Sequence, residues 1–438
     1  MFKLILVNLL FLLGAVHIKS QNSSQKVVCY YDSRAFGREG LGKVTLADIE
    51  PGLSYCTHLV YGFAGINENK RVVSLNANQD LDQGRGAFRI ATQLKRKFPG
   101  LKVLLGVGGD TQGTPDQYLT LLESSQSRII FINSAYDLIK TYDFDGLDLA
   151  YEFPKIKPKK IRSGIGSAWY SFKKVVGAAG NPVDEKSDEH KEEFTALVRE
   201  LKNSFRAENY QLSVTVLPNV NSSLYLDVPS ILNNIDFINL GVYDVQTPAR
   251  NSKEADFFAP LYSPSDRNPE LSIDYQVKSL MSRGFPANKI VIGIPTFGRV
   301  WSIEDGATST GVPPIETKGP APEGIQSKQE GFLSYPEICT KLTNPQNKDL
   351  KGENGPIRKV GDPSKRFGTY GYRLPDKDGQ YGLWVSYEDT DTAGNKASYA
   401  RTNNLAGVAV FDLTHDDFRG ACQQDKFPIL KSVRARLM

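Results

Sequence analysis

Short apolar, β-branched runs recur along the chain and alternate with stretches in which apolar residues are spaced three and four apart. The apolar runs predict eight strands, at residues 27–32, 58–63, 102–107, 146–153, 212–217, 237–243, 290–296 and 407–413. Continuous apolar runs of this length are typical of parallel strands that are buried on both faces. Their alternation with helices predicts an α/β fold, a (β/α)8 TIM barrel.

The stretches with three-and-four spacing predict amphipathic helices that cover the outside of this barrel. They lie at residues 87–98, 128–142, 189–205 and 274–283, and a closing helix follows at 429–437. Gly284 comes directly after the fourth of them, where a glycine commonly ends a helix.

Two interruptions do not fit a minimal barrel. Residues 155–188 follow the fourth strand and are rich in Lys and Arg; they are read as a solvated basic loop, with a docking surface for an acidic partner or a glycan as the alternative. Residues 300–404 mix glycine, proline and charge with apolar segments, which predicts a small α+β insertion domain between strands seven and eight. The barrel itself is then formed by residues 21–299 and 405–438.

The first 20 residues predict a signal peptide, because Lys3 precedes an apolar run over residues 4–16. No later segment approaches the roughly 18 uninterrupted apolar residues that a transmembrane helix requires. We therefore expect a secreted, extracellular protein that is not embedded in a membrane. Its 40% apolar and 23% charged residues are typical of a globular protein, and a net charge of +4 is too small to indicate nucleic-acid binding.

Export places the four cysteines, Cys29, Cys56, Cys339 and Cys422, in an oxidising compartment, so two disulfides are expected, with three pairings possible. Two sequons begin at Asn22 and Asn221. Asn221 is the stronger glycosylation candidate because it follows a predicted strand in a polar loop, whereas Asn22 lies almost at the new N-terminus. The histidines are scattered, and neither a metal site nor a cofactor is expected.

The fourth strand carries the candidate chemistry. Its period of two places Asp148, Ala150 and Glu152 on one face, and Leu147, Leu149 and Tyr151 on the other. Carboxylates that point into a barrel mouth are costly to desolvate, and active sites of such barrels lie at the carboxyl ends of the strands. The pattern therefore predicts a present or former acid/base site.

Residues 145–152, Asp-Gly-Leu-Asp-Leu-Ala-Tyr-Glu, resemble the catalytic strand of glycoside hydrolase family 18, Asp-Gly-x-Asp-x-Asp-x-Glu. Further similar segments are residues 56–64, 104–109, 243–244 and 416–418, and the resemblance covers essentially the whole mature chain. In that family the Glu protonates the glycosidic oxygen while the N-acetyl carbonyl of the substrate attacks the anomeric carbon. The resemblance gives Glu152 the acid's position, and it implies the disulfides Cys29–Cys56 and Cys339–Cys422.

The chain departs from the family pattern where catalysis is most sensitive. The Asp that orients the acetamido group is Ala150, the Trp that follows it is Tyr151, and the Trp under the scissile sugar is Phe411. Losing an electrostatic partner of the transition state typically costs about 10²- to 10³-fold in rate. We therefore expect no active catalytic residues and no enzymatic turnover, only a remnant motif of Asp145, Asp148, Ala150, Glu152, Tyr243 and Asp244. A slow chitinase that uses Glu152 as its general acid is the alternative.

The insertion at residues 157–167 resembles that of the insect imaginal disc growth factors, which are secreted chitinase-like proteins, and the mosquito bacteria-responsive proteins of saliva and haemolymph are similar too. That group commonly has Gln at the position of Glu152. The resemblance implies a monomeric growth or immune effector with a cell-surface receptor or glycan as partner. Residual binding of N-acetylglucosamine oligomers would involve Tyr61, Phe63, Tyr151, Glu152, Tyr243 and Phe411. Trp384 and Trp301 are further candidate sugar platforms, but apolar rings at strand positions usually pack inward, which favours core packing for them and for Tyr61 and Phe63.

Overall fold

A computed structural model describes residues 25–158, 183–303, 311–375, 381–422 and 424–438. The predicted signal peptide, Asn22 and most of the basic interruption after the fourth strand lie outside the described residues.

Eight parallel strands close into a barrel, in which the first strand pairs with both the second and the eighth. This arrangement confirms the predicted TIM barrel. The barrel strands are β1 (Lys26–Asp32), β2 (His58–Ile66), β3 (Lys102–Gly108), β4 (Gly146–Ala150), β5 (Gln211–Val216), β6 (Phe237–Leu240), β7 (Ile290–Pro295) and β8 (Gly407–Phe411).

The predicted helices are present with shifted ends; the segment at 87–98 is an α-helix only to Gln93 and then tightens into a 3₁₀ turn. The α-helices are Leu46–Ile49, Ala77–Asp80, Ala87–Gln93, Pro115–Leu122, Ser125–Tyr142, Ser187–Phe205, Ser222–Tyr225, Val228–Ile231, Ile273–Ser282, Tyr335–Cys339, Thr390–Thr402 and Pro428–Leu437. Short 3₁₀ helices span Ser33–Gly37, Gly40–Gly42, Glu50–Tyr55, Leu94–Arg96, Pro269–Leu271, Ala287–Lys289 and Gly352–Asn354. None of the helices in the described part of the chain has the length and apolar character needed to cross a membrane.

An insertion follows β7 and forms an antiparallel sheet of the strands Phe297–Ile303, Gly319–Pro320, Phe332–Ser334, Arg358–Val360, Thr369–Arg373 and Gly382–Tyr387. Two smaller pairings complete the strands: Val72–Ser74 lies antiparallel to β2, and Glu254–Ala255 pairs with Ile315–Glu316. Trp301 and Trp384 are fully buried in the insertion and meet edge to face at 5.8 Å. Neither ring can serve as a sugar platform.

The predicted boundaries of the insertion, 300–404, differ from the structure at both ends. The insertion sheet already begins at Phe297, two residues after the last residue of β7. The helix Thr390–Thr402 contacts β7, β8 and the helix Pro428–Leu437, and its small residues Ala393, Ala397 and Ala400 are buried. This helix is therefore part of the barrel's outer layer, because its apolar face is covered by barrel elements.

Two disulfides tie the chain together in the described residues. Cys29 of β1 is bonded to Cys56, just before β2, and Cys339 of the insertion is bonded to Cys422, after β8. These are the two pairings that the family resemblance implies.

Candidate active site

Asp148 on β4 lies at the centre of a polar network inside the barrel. Its carboxylate is fully buried and accepts hydrogen bonds from the Tyr30 hydroxyl (2.9 Å), Ser213 Oγ (2.6 Å), Thr215 Oγ1 (2.9 Å) and Asn239 Nδ2 (3.2 Å). Burial raises the pKa of Asp148, and the four donors oppose that effect by stabilising the charged form. Asp148 is thus held in one orientation by partners from β1, β5 and β6.

Glu152 follows β4 and is 1% exposed. Its Oε1 accepts a hydrogen bond from the Thr111 backbone N–H at 3.1 Å, whereas Oε2 is buried without a hydrogen-bond partner among the described residues. Burial raises the pKa of Glu152, and backbone donors at Thr111 and Gln112 counteract this only in part. A carboxyl group in this state has a free oxygen and an environment that favours the protonated form.

Ala150 occupies the position between these two carboxyl groups. Its side chain is fully buried and belongs to the apolar cluster that fills the barrel interior, together with Tyr30, Phe63 and Leu217. A methyl group can neither accept a hydrogen bond nor stabilise positive charge, so the space between Asp148 and Glu152 offers no third carboxylate.

Four aromatic residues converge near the carboxyl ends of the strands. Phe411, the last residue of β8, is half-buried and stacks on Tyr243 with ring centroids 5.6 Å apart and planes inclined by 22°. It also lies 6.5 Å from Phe63 and 5.3 Å from Tyr30. Burial and then the nearby carboxylates of Asp244 and Asp412 raise the pKa of Tyr243, which keeps its hydroxyl neutral. The rings form an apolar wall beside Ala150.

Asp244 and Asp145, the other two residues of the predicted motif, have structural partners. Asp244 forms a two-pronged ion pair with Arg299 of the insertion, both contacts being 2.6 Å. Asp145 precedes β4 at the opposite end of the barrel, where it accepts a hydrogen bond from the Val103 N–H at 2.8 Å and pairs with Lys102. Asp244 therefore couples the mouth to the insertion, and Asp145 is remote from the mouth.

Tyr61 and Tyr151 do not line the mouth, contrary to their prediction as ligand-binding residues. Tyr61 is fully buried between the strands and the helices; it donates a hydrogen bond to Asp80 at 2.6 Å and meets Phe88 edge to face. Tyr151 is 1% exposed in the same outer layer and donates a hydrogen bond to the Tyr118 carbonyl at 2.6 Å. Both rings are core residues because they point away from the barrel axis.

Sequence reasoning missed the donors that hold Asp148. A signal for them was present, since the otherwise apolar strands β5 and β6 carry isolated polar residues at Ser213, Thr215 and Asn239. Polar side chains in strands that are buried on both faces require partners inside the barrel. Asn221, the glycosylation candidate, is half-buried at the start of the helix Ser222–Tyr225, where its Oδ1 accepts a hydrogen bond from the Ser223 N–H at 3.0 Å.

The protein is a closed parallel barrel with a buried carboxylic acid, Glu152, after β4. A second inward-facing carboxyl group, Asp148, lies on β4, and aromatic rings lie at the mouth. This is the architecture of a glycoside-hydrolase barrel. The family model of the glycosyl hydrolases family 18 matches residues 26–416. The chain belongs to this family.

The curated relatives are chitinase-like proteins of the imaginal disc growth factor group. The chain is 53% identical to the chitinase-like protein Idgf4 of Glossina morsitans morsitans, over 99% of both chains. It is 51% identical to bacteria-responsive protein 1 of Aedes aegypti, over 98% of both, and 52% identical to imaginal disk growth factor 6 of Drosophila melanogaster, over 95% of this chain and 94% of that one.

Similar solved structures include a chitinase catalytic domain and a pseudo-chitinase. The catalytic domain 2 of the Group II chitinase of Ostrinia furnacalis superposes with a TM-score of 0.77 at 30% identity, covering 94% of this chain and 96% of that one. Human YKL-39, described as a pseudo-chitinase with retained chitooligosaccharide binding properties, has a TM-score of 0.74 at 25% identity and covers 94% and 100% of the two chains.

Proposed function

We propose that this chitinase-like protein acts by binding and does not hydrolyse chitin. Ala150 is the observation that carries the proposal. Substrate-assisted hydrolysis needs a carboxylate that orients the acetamido group and stabilises the positive charge that develops on it. Here this position holds the buried methyl group of Ala150 among apolar neighbours. The Asp148 carboxylate already accepts hydrogen bonds from four donors. Glu152 remains as an acid, but the carboxylate that would stabilise the developing positive charge is absent.

A slow hydrolase is the second candidate, and Glu152 favours it. The raised pKa of its carboxyl group supports a protonated acid, and Oε2 is unpartnered among the described residues. The loss of one electrostatic contact lowers rates by about 10²- to 10³-fold without removing the acid itself. Residual turnover by this candidate would therefore depend on Glu152.

The decisive experiment is release of a fluorophore from a chitotriose substrate between about pH 4 and pH 8. We expect no turnover by the unmodified protein or by Glu152→Gln, and a gain of activity in Ala150→Asp, tested also with Phe411→Trp to restore the larger ring. Turnover by the unmodified protein that Glu152→Gln abolishes would overturn the proposal in favour of the slow hydrolase. Circular dichroism of each variant establishes that the barrel is folded.

Binding of N-acetylglucosamine oligomers is proposed at the mouth, with Phe63, Tyr243 and Phe411 as stacking surfaces and Glu152 as a hydrogen-bond partner. Phe411 supports this, since it is half-buried at the mouth and sugar rings pack on aromatic faces. Titration calorimetry with chitotetraose should give an affinity about fivefold to tenfold weaker for Phe411→Ala, which corresponds to about 1 kcal/mol of stacking. Phe367→Ala, a half-buried phenylalanine beside Phe257 in the insertion, is the matched control.

We further propose that the protein is secreted as a monomer and acts in growth or immune responses through a cell-surface receptor or glycan. The two disulfides and the names of the relatives support this. Expression of the full chain in insect cells should deliver it to the medium with an N-terminus near Gln21. A mobility shift on deglycosylation that Asn221→Gln removes would establish Asn221 as the modified residue; protein retained in the cells would contradict the localisation.

A further inference from the structure

Three loops carry exposed basic side chains at one part of the barrel rim, beside the mouth. Lys43 lies in the loop after β1, Arg85 in the loop after β2 and Arg419 in the loop after β8, and all three residues are exposed. These strands are neighbours, because β1 pairs with both β2 and β8. Loops that follow parallel strands all leave a barrel at its carboxyl end. The three basic residues therefore share one end and one side of the barrel.

Contacts between these loops hold the cations close together. The Lys43 ammonium lies 4.7 Å from the centroid of the Phe36 ring, and the Arg85 guanidinium lies 4.8 Å from the same centroid. Arg419 donates a hydrogen bond to the Lys43 carbonyl at 3.0 Å and another to the Leu41 carbonyl. Two positive charges thus lie on one aromatic ring, and a third lies against the backbone of the same loop. We call Phe36, Lys43, Arg85 and Arg419 the basic rim.

The protein does not neutralise the charges of the basic rim. None of its three cations forms an ion pair with a carboxylate in the part of the chain that the structure describes. The nearby carboxylates bond to other groups: Asp32 to Arg34, Asp48 to Thr45, Asp82 to Arg89, and Asp417 to the backbone of Ala421 and Cys422. Glu39 is exposed in the loop after β1 and also lacks an ion pair among the described residues, so the surface keeps an excess of positive charge.

The chemistry of the basic rim fits sulfate groups on a glycan. Exposed cations without a counter-charge in their own chain favour an anionic partner. Arg offers oxyanions a planar fork of donors, and Lys offers a compact charge. A net charge of +4 argues against nucleic acid. A lipid surface is disfavoured because the rim offers little apolar area: its exposed apolar neighbour is Leu41, and membrane binding scales with the apolar area that is buried.

We propose that the basic rim binds a sulfated glycan, with Lys43, Arg85 and Arg419 as the contacts to sulfate. Phe36 holds Lys43 and Arg85 in position for this contact. The inference rests on the proposed extracellular role and gives the chemistry of the cell-surface partner. It does not involve the mouth, because neither Glu152 nor Phe411 belongs to the rim.

The test is binding of a heparin decasaccharide to the full mature protein at about 0.15 M salt, measured by titration calorimetry. We expect binding that weakens as salt is added, that desulfation of the decasaccharide abolishes, and that is weaker by about tenfold or more in Lys43→Gln/Arg85→Gln, because two charges that face the anion are lost. Arg96→Gln/Arg206→Gln is the matched control. It removes two exposed charges that precede β3 and β5, at the opposite end of the barrel, and should bind like the unmodified protein.

Three outcomes would overturn the proposal. They are no binding by the unmodified protein, equal binding by Lys43→Gln/Arg85→Gln, and equally tight binding of phosphatidylserine vesicles or single-stranded DNA through the same two residues, which would make the rim a general surface for polyanions. Titration of the same samples with chitotetraose separates this proposal from sugar binding at the mouth. The double variant should bind chitotetraose like the unmodified protein, so either interaction can fail without the other.

Discussion

The imidazole of His58, at the start of β2, is predicted to make folding stability pH-dependent. The residue is 6% exposed, its Nε2 lies 3.2 Å from Gln211 Oε1, and its ring meets Phe237 edge to face. Burial, followed by the neighbouring ammonium of Lys26, lowers the pKa of His58 to about 4, from 6.5. The folded chain therefore keeps His58 neutral at pH values where the unfolded chain protonates it.

The sign and size follow from proton linkage. Between pH 6.5 and about 4 the unfolded state binds one more proton than the folded state, so the free energy of unfolding falls as the pH falls. Above pH 6.5 the lowered pKa of His58 does not change the free energy of unfolding. Below pH 4 it lowers the free energy of unfolding by about 3 kcal/mol, at 1.36 kcal/mol per pH unit. An unfolding entropy of about 0.9 kcal/mol/K for a chain of this length converts this loss to about 4 °C in melting temperature.

Scanning calorimetry of the unmodified protein and of His58→Gln between about pH 4 and pH 8 checks this prediction. The melting temperature of the unmodified protein should fall more steeply below pH 6.5, by about 4 °C relative to the variant. Lys26→Gln removes the neighbouring positive charge and should make that fall smaller. Parallel pH profiles for the unmodified protein and His58→Gln would show that the pKa of His58 is not lowered in the folded chain.

Three further predictions concern stability. Asp148→Ala removes the acceptor that four donors share and should lower the free energy of unfolding by about 3–5 kcal/mol in urea titrations. A loss under about 1 kcal/mol would contradict the hydrogen-bond network around Asp148. Arg299→Met leaves Asp244 unpaired and should cost about 3 kcal/mol by the same measurement, with an unchanged stability arguing against the ion pair. Replacing both Cys339 and Cys422 by Ala opens a loop of 83 residues and should cost about 4.5 kcal/mol, and equal melting temperatures with and without the bond would contradict this.

The barrel strands could be predicted almost completely from the apolar runs, because a strand that is buried on both faces has to be apolar throughout its length. The alternation of residues along β4 is likewise sufficient to place Asp148, Ala150 and Glu152 on one face. The same alternation puts Tyr151 beside Leu147 and Leu149 on the opposite face, and Tyr151 does lie in the outer layer. The family position suggests a ligand-binding role for Tyr151, but the strand period directs its side chain away from the barrel axis.

Tyr61 shows where periodicity is insufficient. Tyr61 and Phe63 are two residues apart, so a regular strand would place both on one face. The register of β2 against β3 shifts between Tyr61 and Ala64, and Phe63 consequently joins the barrel interior while Tyr61 stays in the outer layer. A register shift depends on pairing with the neighbouring strand, which no local pattern records.

Residue types along the chain are sufficient to predict the barrel, its eight strands and the acid after β4, because burial and strand period are local consequences of residue type. Contacts between residues far apart along the chain cannot be predicted in this way. The packing of the whole chain brings Asp148 to Tyr30 and Tyr243 to Phe411, and it places the helix Thr390–Thr402 against the barrel. Such contacts follow from how the strands close and the helices pack, and these depend on the whole chain at once.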